Sequence, residues 1–130
     1  MNRELTPAQA GPPSANYALA MVSEAPTRLL HTSGIGPVLP DGSVPDGLTE
    51  QAEAVWSTIA VLLAEADLEP TDVVSVQTYV VVGNDLGPVM AARDRAFGGH
   101  RCASTLVPVP ALATDSWRLE VAIVAAAGGG

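Results

Sequence analysis

Lysine is absent from this 130-residue chain, cysteine occurs once, and the aromatic side chains are two Trp, two Tyr and one Phe. Each scarcity excludes something. Without lysine there is no Schiff-base amine, no pyridoxal-phosphate anchor and no P-loop lysine. One thiol, Cys102, can close no internal disulfide. No apolar run is long enough to span a bilayer, and the start lacks a basic-then-apolar signal pattern, so no membrane partner is expected and the cytoplasm is the expected compartment. Basic charge is also scarce. Six Arg face fourteen acidic residues for a formal charge of -8, which repels phosphate backbones and argues against nucleic acid as a partner. His31 and His100 lack metal-ligand spacing and there is no Cys pair, so no metal and no cofactor is expected. Gly34-Ile35-Gly36 lacks the third glycine of the dinucleotide pattern and opens no helix.

What is present is aliphatic: 48% of the residues are hydrophobic, enough for one core of Val, Leu, Ile and Ala in a single domain. Residues 1–14, with Pro7, Gly11, Pro12 and Pro13, read as a flexible N-terminal arm. Tyr17–Val22 and Arg28–Gly34 read as a hairpin around Pro26, and the Gly- and Pro-rich stretch 34–47 as a loop. Ala52, Val55, Ile59, Leu62, Leu63 and Ala66 recur at helical spacing over 49–66, with Thr49 as the candidate N-cap and Glu50, Gln51, Glu53 and Ser57 turned away from the apolar stripe. A β-branched strand is expected over 73–82. A second helix follows at 86–97, capped by Asp85 and stopped by Gly98-Gly99, then strands at 103–107 and 117–126 and a flexible tail at 128–130. The order ββαβαββ gives an α+β domain, a mixed sheet with two helices on one face. Its other face, apolar by this reading, is expected to be covered by further subunits.

In the last strand Trp117, Leu119, Val121 and Ile123 share one face, and Arg118, Glu120, Ala122 and Val124 the other. Glu120 is then either a solvated edge group paired with Arg118 or a buried acid able to move protons. Ser33-Gly34 could hold an oxygen with its backbone, but Thr-Ser-Gly-Ile-Gly is no nucleophile elbow. Cys102, close to His100 in sequence, reads as a core thiol rather than a nucleophile.

Ala15-Asn16-Tyr17, Leu29-Leu30-His31-Thr32-Ser33-Gly34, Gln51-Ala52, Asp72-Val73-Val74-Ser75-Val76, Ala103-Ser104-Thr105-Leu106-Val107 and Arg118-Leu119-Glu120-Val121, in this order and spacing, resemble the Rid (YjgF/YER057c/UK114) family. The resemblance implies a chorismate-mutase-like fold, a homotrimer with small-molecule sites in clefts between subunits, and hydrolysis of reactive imines and enamines to a keto acid and ammonia. It implies that Tyr17, Ser33 and Gly34 shape the cleft and that Glu120 orients water or transfers a proton. The family's Pro-Ala-Arg pattern corresponds to Cys102-Ala103-Ser104, which places Ser104 where an arginine binds the substrate carboxylate, and Ile35 stands where many relatives have glutamine. A hydroxyl cannot replace a bidentate guanidinium. Three readings follow. One is a Rid-like enzyme, acting by hydrolysis or proton transfer on an imine, enamine or related small molecule that lacks an α-carboxylate or is larger and more apolar than an amino-acid imine, with Ser104 or Thr105 binding substrate. The second is the ordinary deaminase with Arg101 as the clamp, and the third is a non-catalytic trimeric binding or chaperone-like module.

Overall fold

The helical spacing of the middle third becomes helix α1, Leu48–Glu65, and the Asp85-capped segment becomes α2, Leu86–Phe97, in a computed structural model that describes residues 1–128. Asp85 accepts a hydrogen bond from the Gly87 amide, and Gly98 closes α2 in the left-handed conformation that a residue without Cβ adopts freely. At α1 the N-cap is Gly47, not Thr49; Thr49 already lies inside the first turn.

The strands are β1 (Asn2–Leu5), β2 (Ala20–Ser23), β3 (Arg28–His31), β4 (Val73–Val81), β5 (Ala103–Val109) and β6 (Leu119–Ala127). The main sheet runs β3-β6-β4-β5, with β4 and β5 parallel and the other pairs antiparallel. It is a mixed sheet in an α+β domain. Both helices cover one face: Val55, Ile59 and Leu63 of α1 and Val89 and Phe97 of α2 meet Val76 and Val80 of β4 and Leu119, Val121 and Ile123 of β6. With so few rings available, Phe97 carries the ring packing, edge-on to Trp56 at 5.0 Å between centroids and to the His100 imidazole at 5.9 Å. Each fully buried aliphatic side chain here contributes about 1.5–3 kcal/mol relative to exposure.

Several expectations are corrected. The first strand is Asn2–Leu5, within the stretch read as an arm, so residues 1–14 are not simply an arm. Polar tethers hold it: the Asn2 amide donates to the Ala126 carbonyl at 2.7 Å, Arg3 pairs with Glu24 at 3.3 Å, and Arg101 donates to Glu4 at 3.0 Å. None of these leaves a hydrophobic alternation to read. The expected hairpin also dissolves, because β2 pairs with β1 and β3 pairs with β6. Gln51, read as turned away, is 1% exposed and joins three backbone segments. Its amide donates to the carbonyls of Pro45 and Ser116 at 2.8 and 2.9 Å and accepts from the Arg118 amide at 2.8 Å. Of the tail at 128–130, residues 129–130 lie outside the described residues.

The uncovered sheet face mixes apolar and polar side chains, Val107, Ala122 and Val124 beside Ser75, Gln77 and Tyr79. Alternation on β4 buries Val76, Thr78 and Val80 under the helices and puts Ser75, Gln77 and Tyr79 on the open side, with Gln77 exposed at the sheet centre. Its exposed apolar residues include Leu29 on β3 and Val107, which pairs with Tyr79, on β5.

Candidate functional site

β6 alternates as its sequence requires: Leu119, Val121 and Ile123 are buried and Glu120, Ala122 and Val124 face the open side. Beyond β3 the chain keeps running along β6. The Thr32 amide donates to the Ile123 carbonyl at 3.1 Å, the Thr32 hydroxyl accepts from the Ile123 amide at 3.0 Å, and Ile35 and Val121 exchange backbone bonds of 2.8 and 3.1 Å. This lays Gly34 under the Glu120 side chain. A β-carbon at Gly34 would overlap the Glu120 carboxylate, so only glycine permits this seat. Two residues on, the Trp117 ring covers Gly36 in the same way and fixes the segment leading into β6.

Glu120 is half-buried and has no ion pair among the described residues, Arg118 included. It lines an open cleft of about 360 Å³ with Gly34, Gln77, Tyr79, Leu112 and Ala122. Tyr79 stands directly opposite Glu120 in the antiparallel register, and Gln77 opposite Ala122. The cleft therefore presents one carboxylate, one phenol and one amide, and no arginine or histidine. An apolar groove of about 390 Å³ between α1 and α2 offers only the exposed Arg95–Glu53 pair and no group placed to move a proton.

The other residues singled out from sequence divide between two places. Gly34 and Glu120 meet, and exposed Ser33 lies beside them in the chain. Tyr17 and Thr105 belong to the far side of the sheet, where Ala18 bridges Ala103 of β5. Thr105 is level with Gln77, two strand spacings or about 10 Å from the β6 row. The Tyr17 hydroxyl lies 3.2 Å from the Ser14 hydroxyl, and the hydrogen bonds from Ser14 hold its pKa below the ordinary tyrosine value.

Ser104 lies on a different face from Glu120. It pairs with buried Val76 and its hydroxyl accepts from the Arg93 guanidinium at 3.4 Å, on the helix-covered face. Strand alternation thus presents Thr105, not Ser104, to the open face. Arg101 lies outside the Glu120 cleft: it lines a separate cavity of about 560 Å³ with Glu4 and Leu19, and donates to Glu4 and, at 2.6 Å, to the Tyr17 carbonyl. It tethers β1 to the segment before β2. Cys102 is 2% exposed and burial pushes its thiol up to about 11, with Arg93 only partly offsetting this, so it is a core thiol. His100 is used structurally, against the Val73 carbonyl at 2.7 Å. Ile35 packs toward the core rather than into the cleft.

Gln77 and Tyr79 were missed from sequence. The signal was there: polar residues at alternate positions of a β-branched strand mark one wet face.

The model of the family described as Endoribonuclease L-PSP matches residues 8–127, nearly the whole chain. The chain belongs to the Endoribonuclease L-PSP family. Solved L-PSP-type structures agree with the architecture. YyfB of Yersinia pestis, described as a Rid-family protein of unknown function, superposes with a TM-score of 0.84 at 25% identity over 97% of this chain and 98% of that one. The YjgF gene product of E. coli gives 0.71 at 25% identity over 88% and 90% of the two chains. E. coli TdcF, solved with bound serine, gives 0.72 at 21% identity over 97% and 100%. Among curated proteins none matches. Within the described residues no helix is long and apolar enough to cross a membrane.

Proposed function

We propose that this L-PSP protein is a Rid-type hydrolase, assembled as a homotrimer, in which Glu120 moves protons during addition of water to a small imine or enamine that carries no α-carboxylate. The observation that carries this reading is the seat of Glu120: a half-buried carboxylate on Gly34, without an ion-pair partner, in a cleft with no cationic side chain. A carboxylate can take a proton from water as the oxygen adds to the imine carbon and return it to nitrogen. The carbinolamine hydroxyl then gives up its proton through the same carboxylate, the C–N bond breaks, and a carbonyl compound and ammonia leave. An enamine enters by protonation at carbon, which gives the iminium ion, and loss of one N–H proton then makes it the imine.

An imino acid would bring a second carboxylate close to Glu120. At about 4 Å and an effective dielectric of about 20, two like charges repel by on the order of 4 kcal/mol. An arginine in the cleft would reverse that sign. Arg101 is committed to Glu4, so it supports no carboxylate clamp here. A ribonuclease reading of the family description meets the same electrostatic objection, on a chain of charge -8. In the trimer that the Rid resemblance implies, a partner's β5 edge, with Tyr17 and Thr105, would close the cleft over Glu120. The serine held by TdcF indicates that this fold can take a molecule of amino-acid size.

The test is ammonia release from an uncharged imine generated in situ, with semicarbazide trapping as the readout, together with the mass in solution. Turnover by a trimer is expected. A monomer, or no rate above background with uncharged imines while 2-iminobutyrate is hydrolysed, would overturn the proposal.

A further inference from the structure

Gln77 occupies an odd place for an amide. It lies on β4, a strand paired on both sides, yet its side chain is exposed because its cross-strand neighbours on the open face are Ala122 and Thr105. Small neighbours leave it standing free. It is also the point where two recesses meet. One is the Glu120 cleft, and the other, about 140 Å³, reaches along the same face to His31, Thr32 and Ser75; both are lined by Gln77 and Ala122. Tyr79 flanks the first recess, opposite Glu120.

We infer that Gln77, with Tyr79, selects substrates at the Glu120 cleft whose second functional group is a neutral carboxamide, the reacting imine lying at Glu120 and the carboxamide at Gln77. The inference rests on the proposed hydrolysis and names its substrate class. A primary amide offers two N–H donors and a carbonyl acceptor, so it pairs with another primary amide in both directions, and the Tyr79 hydroxyl can donate to the same carbonyl oxygen. A carboxylate in that position could use only the Gln77 N–H groups and leave its carbonyl oxygen unpaired, and no arginine lines either recess to balance its charge, His31 at the far end of the second being the one basic side chain. A hydrocarbon tail would leave the amide unpaired once water is expelled.

The experiment compares kcat/KM for the imines of 2-oxobutanamide and 2-oxobutyrate in wild type, Gln77→Leu and Gln77→Arg. The Glu120→Gln protein is titrated with 2-oxobutanamide and 2-oxobutyrate by calorimetry. Wild type is expected to favour the amide at least about tenfold, Gln77→Leu to bring the ratio near one, and Gln77→Arg to invert it. Turnover in all three proteins with an unchanged ratio would overturn the role of Gln77 and leave the hydrolase reading standing. Absence of turnover in wild type together with absence of binding to the Glu120→Gln protein would fell the hydrolase reading, and this inference with it. Gln77→Arg keeps the test decisive if Gln77→Leu melts early, because its signature is a gain on the acid substrate.

Discussion

Replacing Gln51 by Leu should be the costliest single change in the polar interior. The amide is 1% exposed and makes three hydrogen bonds to backbone, two donated to Pro45 and Ser116 and one accepted from Arg118. Leucine fills the volume but leaves two carbonyls and one amide without partners. Each orphaned buried group costs about 1–3 kcal/mol, and since the loop carbonyls can recover some water, about 3–5 kcal/mol in total is expected. Unfolding entropy near 2.1 cal/mol/K per residue makes each kcal/mol worth about 4 °C at this length, so Tm should fall by roughly 12–20 °C. Thermal melts at fixed protein concentration, with a urea titration for ΔG, measure it. Glu53→Gln on the same helix, where the carboxylate is exposed, should move ΔG by under about 0.5 kcal/mol. A Gln51→Leu loss below about 1 kcal/mol would refute the reasoning that this amide ties helix α1 to the entrance of β6.

Gly34→Ala should keep the fold but cut imine turnover about a hundredfold or more, since the new methyl takes the volume of the Glu120 carboxylate; steady-state kinetics beside a circular-dichroism spectrum separate the two effects. Ser104→Ala should leave turnover within about twofold, because its hydroxyl faces Arg93 under the helices, and a large loss would return Ser104 to the cleft. Cys102 should resist thiol reagents in the native protein and react once unfolded. Its folded value near 11 lies above the 9.0 of an ordinary solvent-exposed thiol, so the unfolded thiol ionises first on raising pH. The stability it contributes is complete below about 9 and is lost between about 9 and 11, by roughly 2–3 kcal/mol. Denaturation midpoints of wild type and Cys102→Ala across that range should converge.

The parts legible in the sequence are those where a single face decides. The α1 and β6 periodicities place Ile59, Leu63, Leu119, Val121 and Ile123 inward and Glu120 outward, because burial on one side leaves a period in the chain. Gly34 is readable as special, while its reason, the Glu120 carboxylate lying against its α-carbon, needs the register of β3 on β6. The N-terminal strand escapes detection because distant polar partners, Glu24, Arg101 and Ala126, hold it rather than an apolar stripe. Ser104 and Thr105 show the limit of motif matching. A shift of one residue turns a side chain through the sheet, and only pairing with β4 tells which of the two meets the open face.

Hydrolysis of an uncharged imine by wild type beside Glu120→Gln tests the central claim most directly. Glutamine keeps the shape and much of the hydrogen bonding but cannot carry a proton between water and nitrogen. The account predicts a fall in kcat of about 10²–10⁴ with Tm nearly unchanged; equal rates in the two proteins would contradict it.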